Sequence, residues 1–193
     1  MRIHIATDHA GLDFSRDLQS HLRGAGHEVI DHGPQSYDPL DDYPSFCINA
    51  ALAVVAEQSA GIPALGVVFG GSGNGEQIAA NKVTGARAAL VWSDATARLA
   101  REHNDANVIS IGARQHTVEE AKAFIDAFIE QPYTNEERHA RRIAQLAEFE
   151  RTGRIAGHRI DSPAADAAPD AASGEVVEPA TQHPAAAPES GAE

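Results

Sequence analysis

The chain has 193 residues, of which 42% are apolar and 5% aromatic, and its formal net charge is −13. This length suits one well-packed domain, and the acidic balance gives no reason to expect nucleic acid as a partner. No apolar run approaches the roughly 20 residues that span a bilayer, the N-terminus has no secretory leader, and Cys47 is the single cysteine. We therefore expect a cytoplasmic protein that does not associate with membranes.

Strand-like and helix-like patterns alternate along the first 130 residues. Strands are predicted at residues 2–7, 27–32, 65–69, 86–92 and 108–111. Helices are predicted at residues 12–24, 77–82, 94–102, 118–130 and 135–152. A further, alanine-rich helix between the second and third strands is predicted to end at about residue 59. Five short strands separated by helices indicate a parallel sheet that is covered on both faces and joined by right-handed crossovers.

Polar residues follow three of these strands. In parallel sheets, ligands bind outside the carboxyl ends of the strands, where the strand order reverses. Asp8 and His9 follow the first strand, a glycine-rich loop follows the third, and Arg114 follows the fifth. We expect them to lie along one edge of the sheet.

The loop after the third strand is predicted to bind an oxyanion. It reads Gly70-Gly71-Ser72-Gly73-Asn74-Gly75 and opens a helix. Glycines bring backbone N–H groups close to a ligand, and a helix N-terminus adds unpaired donors. The spacing fits neither the dinucleotide fingerprint nor a P-loop, which favours a small oxyanion over a nucleotide.

Glu76 follows this loop directly and is the candidate base. A carboxylate beside backbone donors suits proton abstraction next to a carbonyl, because the donors stabilise the enediolate that forms. The helix dipole lowers the pKa of such a group, so burial has to raise it.

Two further candidates lie away from this edge. His103 and Asn104 stand between a helix and the fifth strand, which places them at the amino edge, opposite Glu76 of the same chain. A catalytic His103 would then serve a neighbouring subunit, which predicts an obligate dimer. Arg138 and Arg142 are four residues apart on one helix face, and paired guanidinium groups suit phosphate; a solvated basic face is the alternative.

The end of the chain has a different composition. Past Arg159 it contains seven acidic residues, five prolines and no Lys or Arg. It has almost no large apolar side chains, so its burial cannot offset the entropy of ordering. We predict a domain at residues 1–155 and a disordered acidic Ala/Pro-rich tail at 160–193.

Several motifs together resemble one family, the type B ribose-5-phosphate isomerases. They are Asp8-His9-Ala10-Gly11, Asp42-Tyr43-Pro44, residues 70–76 with Ala79-Ala80-Asn81-Lys82, Arg101-Glu102-His103-Asn104, and the pair Arg138 and Arg142. The resemblance implies a Rossmann-like three-layer α/β/α sandwich with a five-stranded parallel sheet and an extended C-terminal helix. It also implies a homodimer or dimer of dimers that interconverts ribose 5-phosphate and ribulose 5-phosphate without metal or cofactor.

The resemblance also implies residue roles, carried over position by position. Asp8 and His9 would contact the substrate, His103 would assist ring opening, and Asn104 would hold the sugar. Arg114, Arg138 and Arg142 would bind the substrate, chiefly at its phosphate. The enediolate would be bound by the loop residues Gly71, Ser72, Gly73, Asn74 and Gly75.

One departure from the family concerns the base. Many members have a cysteine as base at the position of Gly70, which this chain lacks. It resembles instead the subgroup, common among actinobacteria, that has a glutamate at the position of Glu76. A carboxylate base with backbone donors also drives triose-phosphate isomerisation.

Alternatives stay open at this point. A related isomerase could act on a tetrulose 4-phosphate or on allose or galactose 6-phosphate, because the distance from Glu76 to the arginines sets the substrate length. A non-catalytic phosphate-binding module is a competing class, although binding alone requires neither Glu76 nor His103.

Overall fold

The computed structural model describes residues 1–161 of the chain. Met1–His158 form one compact unit, and a second unit, Arg159–Glu193, lies almost wholly outside the described residues. The tail predicted at residues 160–193 therefore falls outside them from residue 162 onward. In the part of the chain that is described, no helix is both long and apolar enough to cross a membrane.

A five-stranded sheet forms the centre of the first unit, and every pair of neighbouring strands is parallel. In space the order is β2-β1-β3-β5-β4. The bounds are Arg2–Thr7 for β1, Glu28–Asp31 for β2, Ala64–Gly70 for β3, Ala88–Leu90 for β4 and Val108–Gly112 for β5. β3 is buried along its whole length, as expected for a central strand covered on both faces.

Six α-helices surround the sheet, and a 3₁₀ turn, His9–Gly11, follows β1. The bounds are Leu12–Gly24 for α1, Tyr43–Ser59 for α2, Asn74–Ala80 for α3, Asp94–Asn104 for α4, Val118–Glu130 for α5 and Glu137–Thr152 for α6. α1, α4 and α5 pack with one face of the sheet in the larger core cluster, and α2 and α3 pack with the other. The predicted α/β/α sandwich with an additional C-terminal helix is confirmed.

Most elements lie within two residues of their predicted bounds, and β4 and α3 differ most. β4 is shorter than residues 86–92, and the Asn81 side chain pairs with the outer edge of its first residue: Ala88 N–H donates to Oδ1 (2.9 Å), and Nδ2 donates to the Ala88 carbonyl (2.8 Å). α3 starts at Asn74, three residues before the predicted start, because Gly73 takes a left-handed conformation (φ 79°) and caps the helix. Glu76 thus lies in the first turn of α3.

The strand order reverses between β1 and β3. The chain leaves β1 for β2 on one side, and β3 pairs with β1 on the other, with Thr7 opposite Phe69. The helices diverge at such a point and leave a crevice at the carboxyl ends of the two strands. This crevice is where the sequence predicts the ligand.

Candidate active site

A solvent-open cleft of about 560 Å³ lies at the carboxyl ends of β1, β3 and β5. Its walls come from the turn after β1, the glycine-rich loop, the start of α2 and the turn after β5. The lining residues are Asp8, His9, Ala10, Tyr43, Gly71, Ser72, Gly75, Glu76, Arg114 and Gln115. The predicted edge residues Asp8, His9, Glu76 and Arg114 are therefore brought together with the loop.

Glu76 is buried at the base of this cleft, with 4% of its surface exposed. Its carboxylate packs directly against Gly70, so closely that a Cβ built on Gly70 would overlap it, with Oε2 only 2.7 Å away. Burial raises the pKa of Glu76, the nearby charge of Asp8 adds to this, and a backbone hydrogen bond opposes it. Burial therefore outweighs the effects that stabilise the ionised carboxylate, and the pKa is raised as a catalytic base at this position requires.

Contacts with β5 hold the glycine-rich loop in place. Ala113 N–H donates to the Gly70 carbonyl (2.8 Å), and Arg114 N–H donates to the Gly71 carbonyl (3.1 Å). The buried Ser110 hydroxyl donates to the Gly73 carbonyl (2.6 Å). Because these carbonyl groups are already paired, the N–H groups are what the loop can offer to a ligand.

Two side chains of the loop bond to each other at its outer turn. The Ser72 hydroxyl accepts from the backbone N–H of Asn74 (3.3 Å) and from its Nδ2 (3.2 Å). Asn74 is exposed at the start of α3, and the Ser72 side chain borders the cleft. Ser72 therefore fixes the turn that precedes Glu76 and also borders the cleft.

Asp8 and His9 form the part of the cleft wall that follows β1. Asp8 is 8% exposed and caps the 3₁₀ turn, its Oδ1 accepting from Ala10 N–H at 2.9 Å. His9 is hydrogen-bonded to Asp41, a residue of the loop before α2. Asp8, His9 and Asp41 have donor atoms within 4.8 Å of one another, so they could chelate a cation, but the hydrogen bond between His9 and Asp41 already accounts for this closeness.

Arg114 crosses the cleft above the loop. Its Cδ and Nη1 lie 3.6 Å from where a Cβ on Gly71 would stand. A guanidinium group over a row of backbone donors creates a positive region beside the acidic Glu76 and Asp8. This separation of charge suits a ligand with a neutral reacting end and an anionic group.

Cys47 lies beneath the same site. It is fully buried in the core between α2 and the sheet. Burial, with smaller contributions from Glu76 and Asp8, raises the pKa of the Cys47 thiol to about 12. The thiol is therefore not a nucleophile at neutral pH.

The remaining predicted residues lie elsewhere in the chain. His103 and Asn104 end α4 just before β5 begins, at the amino edge of the sheet, and Arg138 and Arg142 lie on α6. His103 stacks face to face on His139, with ring centroids 4.3 Å apart and planes 9° apart. Each chain therefore carries one group of candidate residues in the cleft and a second group on α4 and α6.

The structure adds site residues that the sequence did not single out. Tyr43 packs over the loop, its hydroxyl oxygen 2.6 Å from where a Cβ on Gly75 would stand. Gln115 follows Arg114, and Asp41 contacts His9 from a distant loop. The motif Asp42-Tyr43-Pro44 contributed to the family resemblance without a role for Tyr43, and the packing of α2 on α3 brings Tyr43 to the cleft.

Several known proteins are similar to this chain in sequence. The sequence profile described as Ribose/Galactose Isomerase matches residues 3–146. The chain is 57% identical over 152 residues to ribose-5-phosphate isomerase B of Mycobacterium leprae, covering 79% of this chain and 91% of that protein. It is 36% identical to ribose-5-phosphate isomerase B of Escherichia coli, covering 77% and 96%.

Solved structures of similar proteins share the fold. A crystal structure of ribose-5-phosphate isomerase B from Mycoplasma genitalium with bound ribulose-5-phosphate superimposes with a TM-score of 0.72. The two sequences are 37% identical, and the match covers 78% of this chain and 97% of that one. Ribose-5-phosphate isomerase B from Clostridium thermocellum gives a TM-score of 0.73 at 36% identity, covering 80% of this chain and 100% of that one.

Proposed function

We propose that this chain, which belongs to the ribose/galactose isomerase family, interconverts D-ribose 5-phosphate and D-ribulose 5-phosphate through a cis-enediolate. The observation that carries the proposal is the position of Glu76. Glu76 is 4% exposed, its carboxyl group has a raised pKa, and it lies beside a glycine-rich loop in which three carbonyl groups are already hydrogen-bonded. A base next to oxyanion donors is what aldose–ketose isomerisation needs.

The chemistry transfers a proton between neighbouring carbons. After ring opening, the Glu76 carboxylate takes the proton from carbon 2 of the aldose, and the electrons move to the carbonyl oxygen at carbon 1. The enediolate oxygens are held by N–H groups of the glycine-rich loop. The proton of the carbon 2 hydroxyl passes to the oxygen on carbon 1, and Glu76 returns its own proton to carbon 1, which leaves a hydroxyl on carbon 1 and the carbonyl at carbon 2. These steps need no cofactor or metal.

Roles for the other wall residues follow from their positions. Asp8 and His9 contact the hydroxyl groups of the sugar, and Ser72 lies within reach of the enediolate oxygens. Arg114 supplies positive charge above the glycine-rich loop, next to Gly71.

We further propose that the active site is completed by a second copy of the chain, in a homodimer or a dimer of dimers. His103 and Asn104 end α4 at the amino edge of the sheet, and Arg138 and Arg142 lie on α6, which contacts α4 through His139. None of the four lines the cleft of its own chain. α6 also exposes large apolar side chains, with Leu146 57% and Phe149 43% exposed, as expected for a helix that packs against a partner. His103 would then assist ring opening, and the arginines would bind the phosphate, in the partner's cleft.

Among related substrates, ribose 5-phosphate is favoured because the relatives at 56–57% identity are named for it. Tetrulose 4-phosphate, allose 6-phosphate and galactose 6-phosphate remain alternatives that differ in length. A non-catalytic phosphate-binding module is disfavoured, because burying Glu76 costs free energy that phosphate binding would not recover. The proposed setting is the pentose phosphate pathway in the cytoplasm.

The proposal is tested by following ribose 5-phosphate in D₂O by NMR. The wild-type protein should form ribulose 5-phosphate and introduce deuterium at carbon 1 of the product, and Glu76→Gln should lose both activities by about 10²- to 10⁴-fold. Allose 6-phosphate and galactose 6-phosphate, tested in parallel, report the substrate length. Full turnover by Glu76→Gln would refute the assignment of the base, and no turnover by the wild type would refute the reaction.

A further inference from the structure

The buried side chain of His4 links β1 to two other segments of the fold. This side chain is 3% exposed. Its Nδ1 lies 2.8 Å from Nε2 of His32, the residue that follows β2, and its Nε2 lies 3.0 Å from Oε2 of Glu57, near the end of α2. The two imidazole rings have centroids 5.1 Å apart and planes tilted by 35°. Both ring nitrogens of His4 are therefore paired, one of them with a second histidine.

The contact between the two rings limits the number of protons that the pair can hold. Two ring nitrogens 2.8 Å apart need one hydrogen between them, because two lone pairs or two N–H groups would repel each other at that distance. A neutral pair satisfies this condition, and so does a pair with one added proton. Charging both rings places a hydrogen on each of the facing nitrogens. The second proton is therefore incompatible with the contact, whichever of the first two states is populated at neutral pH.

The outer nitrogen of His4 faces an ionised carboxylate. Glu57 Oε1 accepts from Arg2 Nη1 (2.8 Å), and Arg2 Nε donates to Glu28 (3.0 Å). Hydrogen bonds from His4 and from Arg2 lower the pKa of Glu57. The Glu57 carboxylate therefore accepts a hydrogen from Nε2 of His4, and the proton limit applies at the contact between the two rings.

The surroundings of His32 oppose a further charge. Burial lowers the pKa of His32, and the charge of His4 adds to this effect. Two acids, Asp31 in β2 and Glu57 in α2, act in the opposite direction but do not cancel it. The folded protein thus resists charging the pair more strongly than an unfolded chain does.

The same contact anchors the start of the segment that leads to α2. His32 N–H donates to the carbonyl of Ile5 in β1 (2.8 Å), and beyond it residues 32–42 are largely exposed. This segment carries Asp41, which is hydrogen-bonded to His9 at the cleft. Separation of the two rings would therefore remove a side-chain anchor from a segment that borders the candidate active site.

We propose that His4 and His32 form an acid-sensitive clasp, which holds one added proton at most and separates when a second proton charges both rings, releasing residues 32–42 at their start. Below the ordinary histidine pKa of 6.5, an unfolded chain charges both rings and the intact clasp does not. The unfolded state then binds more protons, so the stability that the clasp provides is present above this pH and is lost as pH falls below it. The proposal holds whatever reaction the cleft catalyses.

The first measurement is urea unfolding of the full chain at a series of pH values and at one protein concentration, since the stability of an oligomer depends on concentration. One proton missing from the folded state raises the unfolding equilibrium constant by up to about tenfold per pH unit below about 6.5. His32→Gln keeps an N–H donor for His4 but has no ring to charge, so most of this extra rise should disappear. His158→Gln, which removes an exposed histidine, is the matched control and should follow the wild type.

The second measurement is an NMR titration of the wild-type protein. Ring C–H signals report the charge of each histidine, and backbone amide signals report the segment of residues 32–42. One ring of the pair should become charged while these amide signals stay in place. Charging of the second ring should coincide with a change in the amide signals of His32 and of the residues that follow it.

Each measurement has an outcome that overturns the proposal. The same pH dependence of unfolding in the wild type and in His32→Gln would do so, and so would an equal change in His158→Gln, because the effect would then not belong to the pair. Two charged rings with unchanged amide signals in residues 32–42 would show that the contact tolerates both protons. The titration needs no variant, so it decides the question even if His32→Gln does not fold.

Discussion

The Glu76 carboxylate occupies the space that a side chain on residue 70 would need. Gly70 ends β3, Glu76 lies in the first turn of α3, and a Cβ built on Gly70 would overlap the carboxyl group of Glu76. The two positions are thus mutually exclusive: a base on residue 70 and a glutamate in this conformation at residue 76 cannot coexist. This relationship gives a structural reason why a chain with Glu76 has glycine at position 70.

Replacing Gly70 by alanine should therefore displace the base. We expect kcat/KM to fall by about 10²-fold, since a shift of about 1 Å in a reacting group costs that much. The measurement is the isomerisation rate of Gly70→Ala. Gly24→Ala is the control, because nothing lies within 4 Å of a Cβ at that position. Wild-type activity in Gly70→Ala would show that the carboxylate does not act from its present position.

The activity of the enzyme should depend on pH through Glu76. Burial raises the pKa of this carboxyl group above its ordinary value of 4.5, and the base must be ionised to take a proton. Therefore kcat/KM should rise with pH along an acid limb whose midpoint lies above 4.5, and should be lost as pH falls through it. The residual activity of Glu76→Gln should lack this limb; an identical limb in both proteins would assign it to another group.

The thiol of Cys47 should not take part in the reaction. Its pKa is raised to about 12 by burial, and it is fully buried. Alkylating reagents at pH 8 should leave the folded protein active and unlabelled, and labelling should appear on unfolding. Cys47→Ala should keep kcat/KM while losing about 1 kcal/mol of stability. Inactivation by a thiol reagent without unfolding would contradict this prediction.

Mixing two inactive variants tests whether the site is shared between subunits. In a mixed dimer of Glu76→Gln and His103→Ala, one of the two sites combines an intact Glu76 with an intact His103. After subunit exchange at equal amounts, about a quarter of the wild-type activity should return, because half of the dimers are mixed. Either variant mixed with itself is the control. No recovery despite exchange confirmed by mass spectrometry would place both residues in one chain's site.

The acidic tail should be dispensable for catalysis. We propose a boundary between a catalytic domain at residues 1–155 and a tail at 160–193, since the tail composition cannot support a core. Deleting residues 160–193 should leave kcat/KM unchanged. Deleting residues 137–193, which removes Arg138 and Arg142 with α6, should abolish activity. A large loss from the shorter deletion would give the tail a functional role.

Much of the fold follows from local pattern. β1, α1 and α5 have the predicted bounds, because strand alternation, helix periodicity and capping residues act between near neighbours in the chain. The rule for parallel sheets then placed Asp8, His9 and the glycine-rich loop at one edge without any coordinates. β4 was predicted too long, because the apolar run of residues 86–92 continues past the three residues that pair with β5.

Contacts between distant segments could not be predicted from local sequence patterns. Asp41 meets His9 across 32 positions, and Tyr43 packs on Gly75 across as many. Neither pair leaves a periodic signal, because the two residues meet only when α2 docks on the sheet. Asp41 is one of three aspartates in the stretch before α2, with Asp38 and Asp42, and no local pattern points to it as a partner of His9.

The sequence by itself determined that a carboxylate follows a glycine-rich loop at the end of a buried strand, and that residue 70 carries no side chain. Only the tertiary structure decided that this carboxylate is buried against Gly70 and that its pKa is raised. The physical reason is the range of the forces involved: secondary structure is set by neighbours in the chain, whereas pKa values and tautomers depend on exclusion of water and on partners that folding brings from elsewhere.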